Sequence, residues 1–208
     1  MTRRILLLLE MLVIFVILPT LFFIGSIPGP KILTLFIVVA YCLVILLLDK
    51  GFDRSVLLTF TNKGLRPILF RFGVVAILLI LYVALFEPEN LFFLPRNKPL
   101  LWVMIIVFYP LWSALPQELI FRVFFLHRYN ILFNKNITFL IINALAFAYL
   151  HIIFNNWIAV AGSFVAGLFL AHTYLHNRSL FRVTIEHALY GNTIFTVGLG
   201  HYFYLPDN

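Results

Sequence analysis

Glu118 and Arg122 stand four residues apart in the run Pro116-Gln-Glu-Leu-Ile-Phe-Arg122. On a helix that spacing sets a carboxylate and a guanidinium on one face, close enough to pair. A carboxylate held beside a cation stays ionised at neutral pH, as a general base must. The same pair equally serves as a structural lock between helices. Asn143, Phe147 and His151 recur at intervals of four, which makes one stripe along a later helix. Glu186, His187 and Asn192 lie in the last apolar segment. A Glu with a His activates a water, and a second His stabilises an oxyanion. Alternatively Glu118, His151 and His187 ligate a metal. Either arrangement equips a hydrolase. No Ser on a tight Gly-flanked turn, no Cys–His pair and no Asp pair competes with them.

These residues sit in a chain that cannot be a soluble globule. Of its 208 residues 63% are hydrophobic and only 11% charged. A soluble domain is about half apolar and a quarter charged. Cytosolic enzymes, nucleic-acid modules and disordered chains are thereby excluded. The net charge of +7 marks loops retained on the cytoplasmic side of a membrane rather than a nucleic-acid surface. The single cysteine, Cys42, permits no internal disulfide.

A membrane-crossing helix needs about 20 mostly apolar residues. Ile5–Ile24, Ile32–Leu48, Phe72–Phe86, Leu100–Leu126, Ile137–Phe154, Ile158–Leu175 and Leu180–Gly200 meet that need. The first is too long for the apolar core of a signal peptide, and no small-residue cleavage site follows it. Asp49–Phe70 reads as a loop with an interfacial piece, and Glu87–Pro99 as a proline-rich loop. Leu100–Leu126 contains Pro110 and Pro116. Taken as one kinked helix, it gives seven spans; split, it gives eight. With seven spans and the N-terminus inside, Arg3, Arg4, Lys50, Arg54, Lys63, Arg66, Arg71, Arg128, Lys135, Arg178 and Arg182 fall on the cytoplasmic side. Only Lys31, Arg96 and Lys98 fall outside, an asymmetry that favours seven. The expected fold is an all-α, polytopic membrane bundle forming a single domain over residues 1–208, in a bacterial plasma membrane.

The remaining polar residues read as less specific. His172 and His176, four apart, and His127-Arg128-Tyr129 read as interfacial helix ends. Glu186 follows Arg182 closely and reads as interfacial too, with His187 deeper. Glu10 is expected to snorkel or to find a basic partner, and His201, Tyr202 and Tyr204 to join an aromatic belt. At about 1.5 Å per residue, Glu118 lies about 15 Å from Arg128, His151 about 24 Å from Lys135 and His187 about 8 Å from Arg182. Straight, upright helices would not bring the three level, so tilt and the proline kinks must.

The motifs resemble those of the CAAX prenyl protease and bacteriocin-processing (CPBP, or Abi) family of intramembrane proteases. That pattern is Glu-Glu-x-x-x-Arg, then Phe-x-x-x-His, then a late His followed by Asn. Here it reads Gln117-Glu-Leu-Ile-Phe-Arg122, Phe147-Ala-Tyr-Leu-His151 and His187-Ala-Leu-Tyr-Gly-Asn192. The resemblance covers residues 100–200, which would be the catalytic core. It implies an endopeptidase that hydrolyses a peptide bond of a membrane-tethered substrate in or near the bilayer. Glu118 would be the base, Arg122 its orienting partner, and His151 the residue that positions water. His187 and Asn192 would stabilise the oxyanion, with Gln117 a polar member of the site.

Two positions depart from the pattern. Gln117 replaces the first Glu and cannot act as a base, though it can hold a water. Gly191 occupies the position four after His187, which puts Asn192 about 140° round the helix. Gln117 favours, as the alternative, a catalytically inactive relative acting as scaffold or immunity protein. A small proton-coupled transporter is the further alternative. The residue set favours a site without a cofactor, zinc being the alternative through Glu118, His151 and His187. Purified protein is accordingly expected to carry no stoichiometric zinc by elemental analysis; zinc lost together with activity on chelation would reverse that expectation.

Overall fold

A computed structural model describes residues 2–60, 65–133 and 136–203. Lys63, Lys135 and Tyr204, placed above in a cytoplasmic loop or an aromatic belt, lie outside the described residues. The described residues are helical nearly throughout, with no strand among them. Six helices are long and apolar enough to cross a membrane: α1 (Thr2–Phe23), α2 (Lys31–Leu48), α3 (Leu65–Phe86), α4 (Pro99–Leu132), α5 (Ile137–Phe154) and α6 (Trp157–Asn177). α7 (Leu180–Val197) is the seventh expected element. It is a full-length helix but too polar to join the six, because Arg182, Thr184, Glu186 and His187 are buried within the bundle. Large side chains such as Leu48, Phe70, Leu85 and Leu100 are more than 70% exposed, as a lipid-facing surface requires.

Prolines shape the helix that carries the first motif. α4 is continuous over 34 residues, so Leu100–Leu126 is one element and not two. It contains two widened π-helical stretches, Pro110–Ala114 and Leu119–Phe124. Proline has no N–H and clashes with the preceding turn, and a wider turn relieves both problems while leaving carbonyls without their helical donors. Side-chain amides meet those carbonyls. The Ile106 carbonyl, four before Pro110, accepts from Asn192 Nδ2 at 3.2 Å. In the second stretch the Phe125 N–H bonds to Ile120 and Arg122, bypassing Phe121. The Phe121 carbonyl instead accepts a short bond from Asn143 Nδ2. α1 has a π stretch of its own at Val13–Ile17, just before Pro19. There Phe15, 2% exposed, meets Phe121, Phe125 and Tyr129 edge-on with centroids 5.1, 5.0 and 6.0 Å away.

Helix ends follow local chemistry. Asn156 and Ser179 cap α6 and α7 by accepting from Ala159 and Arg182 amides. α7 stops at Gly198, whose φ is +116°. A Cβ there would lie 2.0 Å from the Asn90 carbonyl oxygen, so only glycine lets the 88–90 turn approach. The expected span to Gly200 therefore ends sooner, and a 3-10 turn over Leu199–Phe203 follows.

Several polar expectations change. α3 is helical from Leu65, so Arg66 is not a loop residue. Arg71 reaches Glu186 Oε1 through Nε at 3.1 Å and Nη2 at 2.8 Å, and Thr173 Oγ1 through Nη2 at 2.6 Å. Tyr190 Oη donates to the same Glu186 oxygen at 2.8 Å. Glu186 is thus fully buried within the bundle, and it fastens α3 to α6 and α7. Arg182 is buried as well and donates to Asn177 Oδ1. Glu10 finds its basic partner in Arg128 at 2.9 Å. His127 lies 2.9 Å from Asp49 Oδ2; that bond, with a second from the Gly51 amide, holds the Asp49 carboxyl below the usual range. Tyr129, expected at an interface, is buried. His201 and Tyr202 both reach Glu87, tying the C-terminal turn to the segment after α3.

Removing one member of a buried ion pair strands the other, at a cost of about 3–5 kcal/mol. Arg71→Met should destabilise the protein by that order, and Arg71→Met with Glu186→Met should recover most of the loss. Equilibrium unfolding in mixed micelles measures both; equal losses in the single and double variants would show that the pair has no such role.

Candidate active site

Three helices bring the sequence motifs together. Glu118 and Arg122 come from the second π stretch region of α4, His151 from the end of α5, and His187 from the middle of α7. All four are buried, none more than 7% exposed. Glu118 Oε1 lies 2.7 Å from His187 Nδ1. Its Oε2 lies 3.1 Å from Arg122 Nε, an ion contact in which the N–H is not aimed along a hydrogen bond. Arg122 Nη1 donates to Asn143 Oδ1, and the guanidinium carbon sits 4.8 Å from the Phe147 ring centre. The motif residues therefore meet despite the depth difference that straight, upright helices would leave, and the two π stretches of α4 lie beside them.

The hydrogen bonds fix what the histidines present. The Phe147 carbonyl can only accept, and His151 Nδ1 is 2.8 Å from it, so Nδ1 carries the proton. His151 Nε2 then offers a lone pair and has no hydrogen-bond partner among the described residues. An ionised Glu118 likewise requires the proton on His187 Nδ1. The other nitrogen of His187, Nε2, is 3.0 Å from Tyr109 Oη. Phe147 separates the two histidines, its ring 4.9 Å from that of His151 and 5.5 Å from that of His187.

A cavity of about 210 Å³ opens beside these groups. Tyr109, Ser113, Gln117, His151, Ser163, His187 and Tyr190 supply its polar lining, while Glu118 and Asn192 do not reach it. Gln117 donates to Ser113 Oγ at 2.8 Å, and its Oε1 is buried without a partner. A second, mostly apolar cavity of about 290 Å³ lies between α1, α2, α4 and α5. Ser113, Gln117, Leu150, Ile153 and Phe154 line both cavities, so Gln117 stands at their common wall.

The structure thus joins Glu118, Arg122 and His187 directly, sets His151 and Gln117 on the same cavity, and places Asn192 elsewhere, against the Ile106 carbonyl. Sequence reasoning missed Tyr109. Its one signal was Gly191, which leaves an open place one turn after His187. Glu118, His151 and His187 do not fit a zinc cage as arranged: Glu118 Oε1 and both His187 nitrogens already face protein partners, and Glu118 Oε2 faces the Arg122 cation. No group of three or more His, Cys, Asp or Glu suited to a metal occurs among the described residues. His172 and His176 are exposed, their rings 4.1 Å apart.

The fold and site define an integral membrane helical protein with a buried carboxylate–imidazole centre facing a polar cavity. Residues 98–193 match the family model described as type II CAAX prenyl endopeptidase Rce1-like. The matched stretch carries the site and agrees with the resemblance drawn from the motifs. Comparison with curated proteins gives no match, and neither does comparison with solved structures.

Glu118 is the counter-charge of a guanidinium that is 1% exposed. Glu118→Gln should lower stability by about 3–5 kcal/mol by leaving Arg122 buried and uncompensated. Gln117→Ala, which loses one side-chain bond, should cost about 0.5–1.5 kcal/mol. Unfolding in detergent compares them; a Glu118→Gln variant as stable as wild type would remove the ion pair from the core of the site.

Proposed function

We propose that the protein is an intramembrane endopeptidase that cleaves a membrane-tethered peptide substrate in the cavity bounded by His151, Gln117 and His187. The observation that carries this reading is the free Nε2 of His151. Its tautomer is set by the Phe147 carbonyl and its lone pair is available to a water in the cavity. The base's role, expected of Glu118, passes to His151, because Glu118 is engaged on both oxygens and lies outside the cavity. Water attacks the peptide carbonyl while His151 Nε2 takes its proton, which then passes to the leaving amine. The Gln117 amide holds the water or the peptide. Glu118 orients His187, as a buried carboxylate orients the imidazole of a hydrolytic triad. The adjoining apolar cavity suits a substrate whose tether or flanking segment is apolar. This mechanism uses no metal.

The cationic ends of α1, α2 and α4 support a cytoplasmic N-terminus. Arg3, Arg4, Lys50, Arg54 and Arg128 gather there, with Glu10 and Asp49 as their partners or neighbours.

A second reading rests on Gln117. It faces the cavity where the related proteases carry a Glu and cannot accept a proton, as in a relative that keeps the fold for scaffolding or immunity. Turnover of membrane-tethered peptide reporters by purified protein separates the two. The endopeptidase reading expects cleavage by wild type and a loss of about 10²–10⁴-fold in His151→Ala. A silent wild type beside an active Gln117→Glu would establish the second reading.

A further inference from the structure

His187 has no nitrogen left to offer a substrate: Nδ1 is 2.7 Å from Glu118 and Nε2 is 3.0 Å from Tyr109. The next group in this chain at the cavity is the Tyr109 hydroxyl, which also meets the Ser113 hydroxyl. Tyr109 lines the cavity with Gln117 and His151, whereas Glu118 does not. The tyrosine occupies the space that a side chain at position 191 would fill. A Cβ on Gly191 would lie 2.2 Å from Tyr109 Cε1 and 2.4 Å from its hydroxyl oxygen. Glycine at that point is a requirement of the tyrosine's position and not of backbone conformation. Tyr109 also sits at the last turn before the π stretch that opens at Pro110. The Phe195 ring, 5.7 Å away edge-on, supports its other side.

We propose that Tyr109 is a catalytic residue that donates its hydroxyl hydrogen to the oxyanion formed in the cavity, with His187 acting through it and Gly191 admitting it. The proposal rests on the endopeptidase reading. With both ring nitrogens protonated, His187 Nε2–H donates to the phenol oxygen, and the phenol's own hydrogen is released from the imidazole to the cavity side, where Ser113 and an oxyanion compete for it. With Nε2 unprotonated, the phenol donates to the imidazole instead and offers the oxyanion nothing. The Glu118–His187 pair therefore decides which way the hydroxyl points. No covalent bond to Tyr109 forms or breaks.

Tyr109→Phe keeps the ring over Gly191 and removes only the donor. Loss of one such donor is expected to lower kcat by about 10²–10³-fold with KM nearly unchanged. Thermal stability should stay near that of wild type. Gly191→Ala should lower thermal stability and activity in the wild-type background, yet add little to Tyr109→Ala, where the ring is gone. Nitrogen-15 NMR of labelled histidine should show the His187 Nε2 resonance shifted in Tyr109→Phe. A Tyr109→Phe variant with wild-type kcat, or one whose defect is in KM alone, overturns the proposal. Equal losses from Gly191→Ala in both backgrounds overturn the role given to Gly191. A wild type that cleaves nothing overturns the endopeptidase reading and the oxyanion role together. An unmoved His187 resonance overturns the Tyr109–His187 link whether or not the protein is active.

Discussion

One buried negative charge governs the arrangement. The Glu118 carboxylate has no access to water, and within a bilayer none is at hand to replace a lost partner. It is held from two directions, by Arg122 on its own helix and by His187 across the bundle. Arg122 in turn donates through Nη1 to Asn143 and is covered by Phe147, both on α5. A single ionised group thus fixes the relative register of α4, α5 and α7. The Arg71–Glu186 pair does the same for α3 against the N-terminal half of α7. Burying α7 with its polar side chains is tolerable only because each pair meets its partner inside the protein.

The backbone obeys the same constraint. Carbonyls freed by Pro110 and by the second π stretch cannot turn to solvent, so Asn192 and Asn143 donate to them. Asn143 does two things at once: its carbonyl oxygen takes Arg122 and its amide takes Phe121. The irregular turns of α4 and the chemistry of the site are one structural problem with one set of side chains.

Much of this was legible in the sequence because the informative spacings are local. Glu118 and Arg122 at four residues, the Asn143–Phe147–His151 stripe and the apolar runs need only helix geometry. The burial of Glu186 was not legible because its partner, Arg71, is 115 residues away and no helical spacing points to it. Asn192 looked like a site residue because its actual partner is a carbonyl whose availability depends on a proline missing an N–H. Tyr109 was indistinguishable among 24 Phe and 9 Tyr until the empty volume at Gly191 was seen to be filled by its ring. The depth estimate failed to level the motifs because it assumed straight helices, and α4 is not one.

The length of α4 has a consequence of its own. Its 34 residues span about 51 Å at 1.5 Å each, well beyond a hydrocarbon core of about 30 Å. Such a helix leans, or carries its end into the headgroups, where His127 and Arg128 already hold Asp49 and Glu10. Its angle to α7 sets where Glu118 meets His187. A thinner bilayer asks for more lean and a thicker one for less, at a modest cost per ångström of mismatch. The surrounding lipid is in this sense a part of the site: membrane thickness enters the geometry of the carboxylate–imidazole contact as directly as a substitution would.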